Sequence, residues 1–480
     1  MVKHSSIYAA GNISRQLVGF LMLPIYTRYL SPSDYGVIAL IIFIITLIEL
    51  AFGARMAKAV PKFYYEDDDP IRRYTIISTA LIITTCASGL ATLGLFILSD
   101  NVSVLFFNTS DHGLIIAFLS TLLVCTAVEN YALVYIRILG KPWLFISISL
   151  AKLITQLSLN IYFIVFLKMG ILGIAVSTML SSILFALLLG TYTLKATGLK
   201  FSPQLGMKMF IYCWPLWLAG FAGLYIGSVN RYYINVFSSL SDVGLFELAT
   251  KFSTILVLLI WQPIDQYWQT ERFRYYHEGN NRTIYNNVFN IVSTILILAT
   301  LGISFFSGPV IKIMASSEFH AAIEAVPYLT IGALFSCLVI FMEFSFLVTS
   351  KTGWIVRNQY LTAFVVTVLY LLLIPTFGYI GAAIAAMLAQ IFQFFLVYAR
   401  GRKFFDMEIS LKPLMLSLAV AIAIYTGTVQ ITTTSLIGEL VLKLFAFILC
   451  MVILTALLLR NNEIRVQMVY MTPERLRKWM

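Results

Sequence analysis

The stretch AAGNISRQLVGFLMLPIYTRYLSPSDYGVIAL, Ala9 to Leu40, joins one long apolar run to the start of another. The first run extends from Ser5 to about Arg28 and the second from Gly36 to about Val60. Each is long enough to cross a bilayer core as a helix, which takes ~20 apolar residues. Pro32 and Gly36 break the helix in the short LSPSDYG segment between them. The first run carries a polar stripe, because Asn12, Arg15, Gln16, Gly19, Met22 and Tyr26 recur at helical spacing. The second holds Glu49 near its middle, then Arg55 and Lys58 toward its end. An ionisable group at such depth costs at least ~2.5 kcal/mol on insertion scales, so Arg15 and Glu49 are expected to face a bundle interior or a water-filled cavity. Arg55 and Lys58, nearer a helix end, have the further option of snorkelling to the surface.

The composition agrees. With 60% hydrophobic and 11% charged residues over 480 positions, the chain reads as an all-α integral membrane protein. The first run is too long for a cleaved signal and lacks a small-residue cleavage pattern, so it is expected to remain as a helix. Apolar length gives about fourteen helices, near 5–28, 36–60, 75–99, 113–137, 143–167, 170–193, 208–235, 241–268, 285–306, 324–349, 354–375, 378–398, 412–432 and 435–460. The net charge of +11 does not point to nucleic acid, because the Lys and Arg residues crowd into alternate loops. One set holds Lys62, Arg72, Arg73, Arg137, Lys141, Lys195, Lys200, Lys208, Arg272, Arg274, Arg282, Lys351, Arg357, Arg400, Arg402, Lys403 and Lys412; the other holds only Arg28, Lys168 and Lys312. The positive-inside rule then places both termini in the cytoplasm. The five cysteines lie in apolar runs without a CxxC pair, and four scattered histidines make no metal or catalytic set. There is no Walker GxxxxGK[ST], HExxH or GxSxG, so neither a cofactor nor an enzyme site is indicated.

The chain repeats itself. LSPSDYGVIAL from Leu30 resembles LSDVGLFELA from Leu240, aligning Asp34 with Asp242 and Gly36 with Gly244, 208 residues apart. GILGIAVSTML from Gly170 resembles GYIGAAIAAML from Gly378 at the same offset. A six-helix repeat keeps its orientation, and parallel repeats are one transporter plan with the substrate site at the repeat interface. The expected domains are a six-helix lobe at 1–200, a second at 201–405, and helices 13 and 14 with a cytoplasmic tail at 406–480.

Deep charges mark the candidate site. The first half supplies Arg15, Glu49, Arg55, Lys58, Glu129 and Lys152, and the second Arg231, Glu247, Lys251, Asp265 and Glu343. Ser149, Lys152, Gln156 and Asn160 form a polar stripe on the fifth helix. Glu247 and Lys251 are spaced to pair on one helix face, and Asp265 sits near a helix end. Arg15, Lys152 and Glu343 have no obvious partner on their own helices. Cations in a low-dielectric cavity suit a phosphate or diphosphate. Arg15, Arg55, Lys58, Lys152, Arg231 and Lys251 are therefore the substrate-binding candidates, and Asn12, Gln16, Gln156 and Asn160 the polar lining. Without an ATP site, transport must draw on a gradient, and Glu49, Glu129 and Glu343 are the candidates for H+ or Na+ coupling. Tyr26, Trp214, Trp217 and Tyr225 are candidates for stacking on sugar faces.

The Ala9–Leu40 stretch is similar to the start of bacterial polysaccharide exporters of the Wzx type, the O-antigen flippases. These belong to the multidrug/oligosaccharidyl-lipid/polysaccharide exporter superfamily, with the MATE drug exporters and lipid II flippases. The resemblance covers the whole chain in architecture and implies a V-shaped, MATE-like pair of lobes plus two C-terminal helices, working by alternating access. It implies that an undecaprenyl-diphosphate-linked oligosaccharide crosses from the cytoplasmic to the periplasmic leaflet of the inner membrane, its diphosphate held in a cationic cavity to which Arg15, Arg55 and Lys152 match by helix and depth. It also implies membrane lipid and the pathway's polysaccharide polymerase and chain-length regulator as partners, and no cofactor. The rival readings are a lipid II flippase, differing in cargo; a drug/cation antiporter, favouring an acidic cavity; and a membrane polymerase, calling for a large outer loop or a His-centred site.

Overall fold

In the computed structural model the described residues are Phe20 and residues 22–53, 56–277, 283–431 and 436–460. Most of the 5–28 run lies outside them, as do Asn12, Arg15, Gln16, Arg55 and the C-terminal tail. All regular structure among the described residues is helical. The contacts divide the chain into two units, Met1–Glu247 and Leu248–Met480.

The first unit contains α1 (Leu23–Tyr29), α2 (Pro32–Gly53), a 3-10 turn at Met56–Lys58, α3 (Ala59–Glu66), α4 (Pro70–Ile97), α5 (Ser99–Phe107) and α6 (Gly113–Ile138). Then come α7 (Pro142–Ile161), extended by a π-helical turn to Phe166, α8 (Gly170–Thr197), α9 (Pro203–Ser228) and α10 (Asn230–Phe237). Helix α11 (Leu240–Ile255) begins in the first unit and ends in the second. Four of these helices open on proline, which suits a first turn whose N–H groups have no intrahelical partner. Side chains cap three of them: Ser31 accepts from the Asp34 amide at 3.2 Å, Asp69 from that of Ile71 at 2.9 Å, and Ser202 from that of Leu205 at 3.4 Å.

The second unit continues with a π-helical turn at Leu256–Trp261, then α12 (Gln262–His277), α13 (Thr283–Met314), a 3-10 segment at Ser317–Ala325, α14 (Val326–Met342), α15 (Phe344–Val348), α16 (Gly353–Gly401), α17 (Lys412–Val429) and α18 (Leu436–Leu459). Its core is aromatic. Trp268 stacks on Phe341 with ring centres 5.4 Å apart, and Tyr285 stacks on Phe344 at 5.6 Å. A continuous helix of α16's 49 residues would measure roughly 73 Å, over twice a ~30 Å bilayer core. Gly378, at φ 55° and ψ −136°, breaks it. A Cβ on Gly381 would overlap the Leu373 carbonyl, so the chain doubles back here into two passes.

Eleven helices among the described residues are long and apolar enough to cross a membrane. The fourteen read from sequence are not all counted, for three reasons. The first run falls mostly outside the described residues, α9 is not among the eleven, and the expected eleventh and twelfth helices form the single broken element α16.

The repeat has a geometric counterpart. Gly170 and Gly378 share a left-handed backbone, φ +56° and +55°, which only glycine adopts without strain. Asp34 accepts from the Ser31 amide and hydroxyl at 3.0 and 2.9 Å, and the Ser31 hydroxyl accepts from the Asp34 amide at 3.2 Å. At the matching start of α11, the Ser239 hydroxyl accepts from the Asp242 amide at 3.1 Å. The two glycines meet reciprocally: a Cβ on Gly36 would overlap the Leu240 carbonyl oxygen, and one on Gly244 the Pro32 carbonyl oxygen. Backbone lies on backbone, so neither neighbour can rotate aside.

Gly36→Val and Gly244→Val are each expected to destabilise by at least ~1–3 kcal/mol, the usual cost of overpacking. Thermal melting of the detergent-solubilised protein checks this, with Gly89→Ala, where the added carbon meets nothing within 4 Å, as the neutral control. Melting of either valine variant alongside that control would refute the reciprocal contact.

Candidate functional site

The first unit holds an open cavity of about 300 Å³ between α2, the 3-10 turn, α4 and α6. Glu49 and Lys58 both line it, with Thr46, Thr84, Ser88, Asn130 and Tyr131. Helix α2 ends at Gly53, and the separate 3-10 turn at Met56–Lys58 brings Lys58 to the same cavity as Glu49. The Thr84 and Tyr131 hydroxyls hydrogen-bond at 2.7 Å and tie α4 to α6 along this wall. Trp217 donates its indole N–H to the Leu50 carbonyl, and Leu50 is itself a lining residue. The cavity thus offers an ammonium, a carboxylate, an amide and hydroxyls within one apolar bundle, the mixture that binds and orients a polar ligand.

Lys152 finds its partner on another helix. Its ammonium donates to both oxygens of Glu129 on α6, at 2.6 and 2.7 Å, and Glu129 is buried. Lys152 has no partner on its own helix, as the sequence indicates; its partner is the carboxylate of Glu129 on a neighbouring helix, a relation invisible to a search along single helices. Gln156 and Asn160 of the α7 stripe form a seam between helices. Gln156 donates to Thr178 on α8 at 3.3 Å, and buried Asn160 donates to the Tyr26 hydroxyl at 2.7 Å while accepting from Ser177. These bonds replace water that hydrocarbon cannot supply.

Glu247 pairs across helices as well, accepting from Arg231 Nε and Nη2 at 3.0 and 2.6 Å. Both bonds go to Glu247 Oε2; Lys251 stands half-buried one turn further along α11. In the second unit Glu343 occupies the corner between α14 and α15. It and Asp265 act electrostatically on Arg272, which is only 5% exposed and lies 5.2 Å from the centre of the Phe344 ring. Sequence reading placed Arg272 in a solvated loop. The polar run QPIDQYWQTERFRYYH in fact continues as α12, and its aromatic residues are the signal that this helix end is covered.

The sequence matches the model of the polysaccharide biosynthesis protein family over residues 25–324. No curated protein matches the chain. Among solved structures it is similar to the lipid II flippase MurJ in an inward closed conformation, with 14% identity and a TM-score of 0.75 over 93% of this chain and 98% of that one. It is also similar to a MATE family multidrug resistance transporter of the MOP superfamily in an inward-facing conformation, with 15% identity and a TM-score of 0.65 over 82% and 97%. A third is the MATE multidrug transporter DinF-BH, with 16% identity and a TM-score of 0.59 over 84% and 96%. At these identities the likeness concerns the fold, which is MurJ- and MATE-like.

Breaking the Lys152–Glu129 pair from one side strands a buried charge, which costs about 3–5 kcal/mol, whereas replacing both members by apolar residues is roughly neutral. Lys152→Met and Glu129→Leu are expected to melt well below wild type in detergent, and the double variant close to it. Wild-type melting of both single variants would dismiss the pair as structural.

Proposed function

The chain belongs to the polysaccharide biosynthesis protein family, and we propose that within it this multi-pass membrane protein flips an undecaprenyl-diphosphate-linked oligosaccharide from the cytoplasmic to the periplasmic leaflet. The proposal includes residence in a bacterial inner membrane with both termini cytoplasmic, two six-helix lobes at 1–200 and 201–405, and helices 13 and 14 after residue 406. The surface glycan is an O-antigen or comparable repeat unit, and the pathway's polymerase and chain-length regulator act on the product.

The observation that carries this reading is the charged cavity between α2, α4 and α6. A diphosphate brings concentrated negative charge into a low-dielectric site, and Lys58 supplies a cation there. Arg55, three residues earlier, and Arg15 complete the proposed cationic set. Lys152 and Arg231, each committed to a carboxylate, serve less as ligands than as ties between helices. Glu49, on the same cavity as Lys58, is the proposed coupling carboxylate: protonation changes the net charge beside the diphosphate site. A MATE-type drug/cation antiporter would share the fold, but the family match and the cavity lysine favour an anionic cargo. A lipid II flippase would differ in cargo alone.

Losing one charge-assisted contact to the diphosphate costs ~1.5–3 kcal/mol. In a strain lacking the gene, Lys58→Ala and Arg55→Ala are expected to reach the membrane normally yet restore only a small fraction of surface glycan, while lipid-linked oligosaccharide accumulates on the inner leaflet. Lys58→Arg retains most of the export. Full surface glycan from both alanine variants, or a deletion that alters drug susceptibility and not glycan, overturns the proposal.

A further inference from the structure

Helix α16 starts and ends at one basic corner of the second unit. Trp354, Arg357 and Asn358 stand in its first two turns and Arg400 in its last. The Arg357 guanidinium lies 4.9 Å from the centre of the Trp354 ring, and that of Arg400 lies 5.4 Å from it. Two like charges are thus gathered around one indole. Arg400 donates to Asn358 Oδ1 at 2.6 Å. Asn358 is fully buried, and with its oxygen so fixed its Nδ2 donor has no hydrogen-bond partner. Among the described residues neither arginine forms an ion pair, and the nearby carboxylate of Asp406 is taken by Arg402 at 3.2 Å. Cation–π attraction to the indole offsets only part of the repulsion between the guanidinium groups. The corner gathers two guanidinium groups and a buried amide donor.

Arg357 also heads an exposed apolar stripe. Tyr360, Phe364, Val368 and Leu371 follow it at helical spacing, and all are exposed. From Arg357 to Leu371 the helix runs roughly 20 Å, enough for one acyl chain to lie along it within its own leaflet.

We propose that this face binds an anionic phospholipid, with the phosphate held between Arg357 and Arg400 and an acyl chain along Tyr360–Leu371. Guanidinium forks match phosphate oxygens bidentately, and basic pockets between membrane helices hold phosphorylated headgroups in this way. The site is built from second-unit residues alone and does not depend on the cargo assigned to the first unit's cavity.

The test titrates the full-length detergent-solubilised protein with phosphatidylglycerol and counts bound lipid by native mass spectrometry, with phosphatidylcholine as the neutral comparison. Phosphatidylglycerol is expected to bind, and its affinity to fall about fivefold in Arg357→Gln and further in Arg357→Gln/Arg400→Gln. Arg357 is exposed, so its single variant should melt as wild type does without lipid, keeping the test valid if loss of Arg400 unfolds the corner. Equal binding of phosphatidylcholine, or undiminished phosphatidylglycerol binding in Arg357→Gln, overturns the site. Displacement of phosphatidylglycerol by undecaprenyl diphosphate at tenfold lower concentration overturns the choice of ligand.

Discussion

Hydrocarbon accepts no hydrogen bond, and the interior of this chain follows from that constraint. Hydroxyls inside helices turn back on their own backbone: Thr27 donates to the Leu23 carbonyl at 2.9 Å, Thr126 to Leu122 at 2.6 Å, and Thr193 to Leu189 at 2.9 Å. Amides reach sideways to the next helix, as Gln156 and Asn160 do. Charges reach furthest, and Lys152 and Arg231 each close on a carboxylate of another helix. The polar residues of an apolar chain thus become the fasteners between its helices. Beside Glu49 and Lys58, polar groups from several helices converge on one hollow.

The two units use their interiors differently. In the second, stacked rings of Trp268, Phe341, Tyr285 and Phe344 fill the centre, and Arg272 is buried against them. In the first, small and polar side chains of α4 and α6 leave room beside Tyr131, and Trp217 on α9 closes over the Leu50 end of α2. One repeated plan therefore carries an aromatic core in one unit and a charged hollow in the other. A copied framework supplies the scaffold, and the side chains that diverged on it supply the chemistry.

The framework was the legible part of the sequence. Apolar length alone located most helices, and the 208-residue offset pointed to Gly36, Gly244, Gly170 and Gly378, the residues that carry the matching backbone geometry. The site was less legible because its relations are tertiary. No periodicity along α7 reveals that Lys152 meets Glu129 on α6, since the partner is a matter of which helices pack and at what height. The stripe of Gln156 and Asn160 was visible, but whether such a stripe faces a cavity or a neighbour depends on what lies opposite. Glu49 and Lys58 were recognisable from depth, and only the 3-10 turn at Met56–Lys58 shows that they share one hollow. Arg272 was misplaced because a polar helix end looks like a loop until its aromatic cover is seen.

The reciprocal glycine contact has an evolutionary side. Gly36 and Gly244 sustain the same narrow gap from opposite directions, each leaving space for the carbonyl that precedes the other. Once a side chain at either position has wedged the backbones apart, a second at its counterpart finds the gap already widened. The two codons are then epistatic: the double change is milder than the sum of the single ones.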